Sequence, residues 1–394
     1  MNIFDVSVDI LKEILNFSDF LTKIRFRQIC KYLYKNLHML DFYNIEKKYL
    51  VKLTNNILKK HKFIKYLQCN KWIKDVSFMK NLKELYAFRT SGIDQIGIKG
   101  LDLIILNINN NSKINDVSWM TNLKELYAAG NCGINQEGIN GLDLIILNIN
   151  DNSKINDVSW MVNLKELYAA ENCGINQDGI NGLDLIKLNA NDNSKIKDVS
   201  WMMNLKELHA SGNCRINQTG INGLDLIKLN ANDNLKIKNV SFMKNLKELD
   251  ANGECGIDQT GINGLDLIKL DVWDNNKIID VNWMMNLKEL DANGECGIDQ
   301  TGIKALDLIK LDVWDNNKII DVNWMMNLKE LDASGNCGID QNGIKGLDLI
   351  KLDVKYNPKI KKVSWMKNLK QLYADGTYGI DQSGIEGLDL IELC

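Results

Sequence analysis

A block of 41 residues recurs without a single insertion from about Leu82 to the end of the chain, and no other feature restricts the fold as tightly. Each block holds two half-units rich in leucine. One reads LKELYAAGNCGINQEGING from Leu123 to Gly141; the other reads LDLIILNINDNSKINDVSWMVN from Leu142 to Asn163. The leucine that opens the first half-unit returns at Leu82, Leu123, Leu164, Leu205, Leu246, Leu287, Leu328 and Leu369. A unit this short cannot bury its apolar side alone, so copies must stack into an elongated solenoid with one shared core. Stacks of this kind expose long faces and rarely close into catalytic clefts. The first expectation is therefore a binding protein.

Composition narrows this further. The chain has 394 residues, 25% of them charged, with a net charge of −3. Nothing global points to nucleic acid or to a membrane surface as partner. No run reaches the roughly 18 apolar residues of a membrane span. The first residues, MNIFDVSVDILKEILNFSDF, are acidic and lack the basic start and small-residue cleavage site of a signal peptide. A soluble, cytoplasmic protein is expected. Cys132, Cys173, Cys214, Cys255, Cys296 and Cys337 fall one per block. Equivalent residues of successive blocks lie two strands apart, roughly 10 Å, whereas a disulfide needs Cα atoms within about 7 Å. Small buried thiols in a reducing compartment are the expectation. No CxxC or Cys/His cluster is present, so neither a metal site nor a cofactor is expected.

Three segments follow along the chain. Residues 1–44 carry apolar residues at helical spacing: Val8, Leu11, Ile14 and Leu15, then Leu21, Ile24, Ile29 and Leu33. Residues 45–66 are basic and periodic, as a connecting helix that caps the array would be. Residues 67–394 are the array. Within a half-unit the frame LxxLxLxxN, as in Leu103, Leu106, Ile108 and Asn111, places period-2 leucines on the inner side of a short strand. Asparagines at Asn111, Asn152, Asn193 and Asn234, and at Asn131, Asn172 and Asn213, suit turns whose amides pair with backbone, and stacked copies are expected to form a ladder. The half-units alternate at 20 and 21 residues, each giving one strand of a parallel sheet.

These residues resemble the leucine-rich repeat superfamily over more than four-fifths of the chain. The first half-unit is similar to the cysteine-containing class, LxxLxLxxCxxITDxGLxxL, but carries asparagine at the usual cysteine place and cysteine one residue later. The second is similar to the shorter class that reads NxIxDISPLxNL. The implied fold class is an α/β solenoid: a leucine-rich repeat superhelix with a parallel concave sheet, preceded by a small all-α segment. A helical array of HEAT or armadillo type has the right period, but its helices would not tolerate an LxLxxN strand and turn in every block. The Asn/Ile/Lys bias and uniform spacing are also similar to repeat proteins of large DNA viruses of amoebae.

The start, VSVDILKEILNF followed by FLTKIRFRQICKYLY, resembles an F-box through Val6, Asp9, Ile10, Leu11, Ile14 and Leu15, then Leu21, Ile24, Arg25, Ile29, Cys30 and Lys31. Ser7 stands where that pattern has proline, and Leu33 where tryptophan is common. The resemblance implies docking on a Skp1-like adaptor of a cullin-RING ubiquitin ligase, with the repeats holding the substrate. The docking residues it implies are Ile10, Leu11, Ile14 and Leu15, with support from Ile29. The alternative is a stand-alone leucine-rich repeat scaffold whose first residues merely cap the array.

The third, fifth and seventh positions of the frame face outward from the sheet. The fifth-position row runs Tyr86, Asn107, Tyr127, Asn148, Tyr168, Asn189, His209 and Asn230, then Asp250, Asp271, Asp291, Asp312, Asp332 and Asp353, before Tyr373. Neighbours in this ladder lie about 5 Å apart, so adjacent carboxylates repel by roughly 1–3 kcal/mol. The third-position row, Lys228, Glu248, Lys269, Glu289, Lys310, Glu330 and Lys351, alternates in sign and offsets part of that. A solvated, internally balanced ladder and a docking site for a basic protein segment or a divalent cation both remain open. Trp273 and Trp314 favour docking: they occupy the seventh position, where earlier blocks carry Asn109, Asn150, Asn191 and Asn232. A tryptophan beside a carboxylate suits a lysine- or arginine-bearing ligand.

A second aromatic row, Phe78, Trp119, Trp160, Trp201, Phe242, Trp283, Trp324 and Trp365, recurs in every block, as packing between repeats would require. His38, His61 and His209 are scattered, and no phosphate-binding loop or nucleophile with a placed base is visible, so no catalytic residue is expected. Leu390 to Cys394 stops inside a strand, which implies an open sheet edge.

Overall fold

A computed structural model describes residues 7, 10, 11, 15, 18, 20–29, 33, 41–42, 47–61, 64–374 and 379–393. The chain divides into two compact units, 1–184 and 185–394, and in each the recurring element is a very short strand. In the first unit β1 (Asp41–Phe42), β2 (Tyr66–Gln68), β3 (Glu84–Tyr86), β4 (Ile105–Asn107), β5 (Glu125–Tyr127), β6 (Ile146–Asn148) and β7 (Glu166–Tyr168) pair in chain order, all parallel. The second unit holds β8 (Lys187–Asn189), β9 (Glu207–His209), β10 (Lys228–Asn230), β11 (Glu248–Asp250), β12 (Lys269–Asp271), β13 (Glu289–Asp291), β14 (Lys310–Asp312), β15 (Glu330–Asp332), β16 (Lys351–Asp353), β17 (Gln371–Tyr373) and β18 (Glu392–Leu393). These too pair in order and in parallel. The fold is a parallel-sheet β-solenoid of leucine-rich repeat type.

Each three-residue strand buries only its central leucine, such as Leu270 or Leu311, and turns its flanking residues outward. The return segments hold short 3-10 turns, such as Glu137–Ile139 and Thr260–Ile262, rather than α-helices. The reason is a close approach. The Val117 N–H donates to the Gly138 carbonyl, and a Cβ on Gly138 would lie 2.1 Å from the Asn115 carbonyl oxygen. On this back side the indoles of Trp283, Trp324 and Trp365 donate to the carbonyls of Leu265, Leu306 and Leu347 at 3.0 Å, which ties each aromatic to the neighbouring coil.

Buried asparagines organise the turn after the strand, but only in every second coil. Asn275 donates through Nδ2 to the carbonyls of Ala251 (2.8 Å) and Ile257 (3.2 Å), and its Oδ1 accepts from the Lys277 N–H (3.0 Å). Asn111, Asn152, Asn234, Asn316 and Asn357 do the same. The expected second set, Asn131, Asn172 and Asn213, is exposed instead. The residue before the asparagine takes positive φ in both kinds of coil (Gly130 65°, Glu171 61°, Gly212 63°; Asn110 58°, Asp151 56°), so that turn does not by itself set which way the amide points. The inward place falls to the cysteine that follows. The six cysteines that recur one per block are all buried. Burial pushes the Cys214 and Cys255 thiols up to about 11, and those of Cys296 and Cys337 to about 12.

The amino-terminal region departs from the all-helical expectation. Described helices are α1 (Phe20–Gln28), α2 (Lys47–Leu50) and α3 (Asn55–Lys59), but β1 lies inside the first 44 residues and pairs with β2. Among the described residues of 45–66, α2 and α3 are separated by a turn and Tyr66 opens β2, so the stretch 47–61 is not one continuous helix. Asn70 explains the break: its amide donates to the Leu50 and Leu53 carbonyls, so the turn between α2 and α3 is hydrogen-bonded in place.

Replacing Asn275 by Ala strands two carbonyls and one N–H in a dry turn, and should cost about 2–4 kcal/mol. Replacing the exposed Asn172 by Ala should change stability by under about 0.5 kcal/mol. Chemical denaturation of the two variants checks this; equal midpoints would contradict the ladder's structural role.

Candidate functional site

The outward positions of the strands form two rows, and their chemistry differs between the units. In the first unit the fifth-position residues are Tyr86, Asn107, Tyr127, Asn148 and Tyr168, with the Tyr127 and Tyr168 hydroxyls donating to Glu125 and Glu166 at 2.9 Å. The second unit starts similarly. Glu207 lies 2.6 Å from His209 and 3.0 Å from Lys187; burial opposes its charge, but these two partners hold its carboxyl below its ordinary value. From β11 onward the row is acidic. Asp250 faces Asp271, which faces Asp291, and the series continues through Asp312, Asp332 and Asp353 to Tyr373. Lys228 pairs with Glu248 at 3.1 Å and Lys269 with Glu289 at 3.9 Å in the neighbouring row. Partly exposed pairs like these contribute under about 1 kcal/mol each.

The half-buried aspartates also serve the backbone. From Asp271 onward each bends back so that Oδ1 accepts the N–H two residues on: Asp271 from Trp273 (3.3 Å), Asp291 from Asn293 (3.3 Å), Asp312 from Trp314 (3.2 Å), Asp332 from Ser334 (3.0 Å) and Asp353 from Lys355 (3.0 Å). Asn107, Asn148, Asn189 and Asn230 make the same bond in earlier coils, so aspartate adds charge without losing the acceptor. The charge is resisted. Burial, then Asp271 and Asp312, push the Asp291 carboxyl up to about 7; burial, then Asp332, push Asp312 to about 6. Burial likewise raises Asp250 and Asp353.

Trp273 and Trp314 are coupled to this row by a hydrogen-bond exchange. Elsewhere the seventh-position asparagine reaches forward one coil: Asn109, Asn150, Asn191 and Asn232 accept from the N–H of Ala129, Ala170, Ser211 and Asn252 at 2.8–2.9 Å. Tryptophan has no acceptor to offer, and the stranded N–H groups of Asn293 and Ser334 turn instead to Asp291 and Asp332. Each tryptophan is thus followed one coil later by the aspartate that replaces its lost function. The sequence carries this signal as Asn-to-Trp one coil before Tyr-to-Asp.

Both indoles stand at the strand exits, 45% and 41% exposed. Each is seated over a glycine of the next coil, since a Cβ on Gly294 or Gly335 would lie 3.3 or 3.0 Å from the indole Nε1. A cleft of about 800 Å³ separates Trp273 from Trp314, with Asp274, Glu295 and Asp315 in its wall. A second, of about 590 Å³, runs from Trp314 to Tyr356 and Pro358. Among the described residues no group of three or more His, Cys, Asp or Glu side chains can hold a metal ion.

The docking residues implied for the amino terminus separate by environment. Ile10 and Ile29 are exposed at 55% and 59%, whereas Leu11 and Leu15 are buried, so these two are not available to a partner in this conformation. Ile14 lies outside the described residues. Ser7, at the usual proline place, caps the turn that follows: its hydroxyl accepts the Ile10 N–H at 3.3 Å and its carbonyl the Leu11 N–H at 3.1 Å. A further exposed row, Ile186, Ile227, Ile268, Ile309 and Ile350, occupies the second position of the frame. Reading only the third, fifth and seventh positions passes over it, although isoleucine recurs there in each of those half-units.

No protein-family model matches the chain, and no curated protein sequence does. Solved structures resemble it at low identity. The functional domain of InlJ from Listeria monocytogenes, which includes a cysteine ladder, is 18% identical over 80% of this chain and 69% of its own, with a TM-score of 0.43. The circular leucine-rich repeat protein CroV588 is 15% identical over 84% of this chain and 53% of its own, with a TM-score of 0.46. A chain of the yeast Rad7–Elc1 complex is 15% identical over 97% of this chain and 95% of its own, with a TM-score of 0.42. No helix among the described residues is long and apolar enough to cross a membrane.

The raised carboxyls set a pH dependence. A carboxyl whose folded pKa exceeds its unfolded value of about 3.9 stabilises the fold below that value and loses this contribution as pH rises. The loss runs through the folded values, about 6 for Asp312 and about 7 for Asp291, and is complete for both at about pH 8. Asp291→Asn, which keeps the acceptor for Asn293, should therefore gain about 1–2 kcal/mol at pH 8 and little at pH 4. Asp291→Ala, which removes the acceptor, should be less stable than Asp291→Asn at both. Thermal melts of the three proteins at the two pH values decide it.

Proposed function

We propose that this chain is a protein-binding scaffold that takes a basic partner segment on the acidic strand face and strand exits of its second unit. The observation that carries the reading is the register of Asp250, Asp271, Asp291, Asp312, Asp332 and Asp353 beside two exposed tryptophans. A row that repels itself and raises its own carboxyls is a cost to folding that a cationic ligand offsets on binding. The two tryptophans add amphipathic contact area next to those carboxylates, the combination that anchors lysine and arginine. Repeat arrays supply such extended surfaces without a closed pocket.

The second part of the proposal concerns the amino terminus. The segment from Val6 to Lys31 is the docking element for a Skp1-like adaptor, which makes the chain a substrate-recognition subunit of a ubiquitin ligase. It rests on the F-box resemblance, and exposure of Ile10 and Ile29 supports a restricted version with those two residues at the contact. Without adaptor docking, the chain is a stand-alone scaffold.

Two measurements separate these parts. Asp291→Asn combined with Asp312→Asn should weaken capture of a lysine-rich peptide about tenfold and flatten its salt dependence, given a charge pair of roughly 1–2 kcal/mol; unchanged affinity removes the acidic-face reading. Skp1 should be retained by the full chain and lost on Ile10→Asp with Ile29→Asp. Failure of the unaltered chain to retain it removes the adaptor reading and leaves the scaffold.

A further inference from the structure

Resting on the basic-partner reading of the second unit, we propose that Trp273, Trp314 and Tyr356 form a stepped aromatic track for a polyproline-II segment bearing lysine or arginine at every third residue. Trp273 and Trp314 each stand two residues past their strands, β12 and β14, and so two strands apart, while Tyr356 stands three residues past β16, one position further along the turn. At the usual strand spacing that step is about 9.5 Å. A polyproline-II helix rises about 3.1 Å per residue and presents the same face every third residue, a step of about 9.3 Å. Alternatives fit less well. An extended β-strand repeats one face at about 6.6 or 13 Å. An α-helix repeats its face at about 10.5 Å over seven residues, and the mismatch accumulates along three platforms.

The track is built rather than incidental. Tyr356 adopts φ of 60° at the turn position where the equivalent residues are Asn110, Asp151, Asp192, Asp233, Asp274 and Asp315. Asparagine and aspartate tolerate that conformation, whereas an aromatic residue there is an outlier. Its ring is nevertheless 65% exposed, so core packing does not hold it. Trp273 and Trp314 have each displaced an asparagine that bonds the next coil, and the glycines beneath them hold the indoles in place. Three positions have therefore left the repeat's own rule at the exits of β12, β14 and β16, two of them one block apart and the third one residue further on.

Charge selects the ligand. The cleft between the two tryptophans carries the carboxylates of Asp274, Glu295 and Asp315 against the single ammonium of Lys318, which is itself bonded to the Cys296 carbonyl at 2.7 Å. A cation lodged between the indoles meets ring faces and carboxylates together, while the intervening prolines pack on the aromatic edges. A partner already in the polyproline-II form loses little conformational freedom on docking.

Calorimetric titration of the full chain with two peptides of identical composition tests the proposal. One repeats Arg-Pro-Pro; the other places all its arginines in one block followed by the prolines. The phased peptide should bind about tenfold more tightly, consistent with two or three exposed cation–π contacts. Trp273→Asn with Trp314→Asn restores the asparagine of the other coils, so it should fold normally, lose that preference and keep a weaker, salt-sensitive affinity for both peptides. Equal binding of the two peptides, both weakened by Asp291→Asn with Asp312→Asn, overturns the track and leaves the acidic face standing. Absence of binding by either overturns both. Tighter binding of a neutral linear oligosaccharide, with tryptophan quenching, also overturns it.

Discussion

The Asn275 side chain donates twice to the preceding coil and accepts once within its own turn, and Asn234, Asn316 and Asn357 repeat the arrangement. A strand of three residues makes too few bonds to define a sheet alone. The buried amide completes the turn's hydrogen bonding at a position no water reaches, and a partner missing there leaves dry polar groups stranded. It also fixes the direction in which the chain leaves every second strand, while in the coils between a buried cysteine takes the inward place. The outward residues of successive coils therefore fall in register, and every surface row is a consequence of that repetition.

Register turns single substitutions into surfaces. One aspartate in place of tyrosine is a minor change; six in register and half-buried leave Asp291 and Asp312 with carboxyls raised first by burial and then by their neighbours. The same regularity exposes the link between Trp273 and Asp291, and between Trp314 and Asp332. A tryptophan removes the acceptor that the next coil expects, and an aspartate in that coil supplies it. At these two steps charge and aromatic surface change together, whereas Asp250 joins the row while Asn232 keeps its bond to the Asn252 N–H. The acidic row is partly a hydrogen-bonding repair and partly a field presented to solvent.

Much of this was legible in the sequence. The frame LxxLxLxxN places the inner leucines, the outward rows and the Asp250-to-Asp353 ladder directly, because strand period and block length leave one register. Other features were not legible. Asn131 and Cys132 compete for one inward place, and it is the thiol that packs there. The F-box resemblance puts Ile10, Leu11, Leu15 and Ile29 at one contact, yet packing buries Leu11 and Leu15 and leaves the isoleucines exposed. Residues 45–66 read as one helix until Asn70 reaches back to the Leu50 and Leu53 carbonyls.

The sequence by itself determined the stack, since a 41-residue block with one leucine face has no other way to exclude water from that face. It also determined which residue types share each outward row. The tertiary structure alone decided which backbone N–H each side chain serves, and hence that Asp291 and Asp332 answer for the asparagines lost at Trp273 and Trp314. Those partners are about twenty residues apart along the chain and in contact only across neighbouring coils. Periodicity gives the row a residue belongs to, whereas a hydrogen bond depends on where its atoms lie in space.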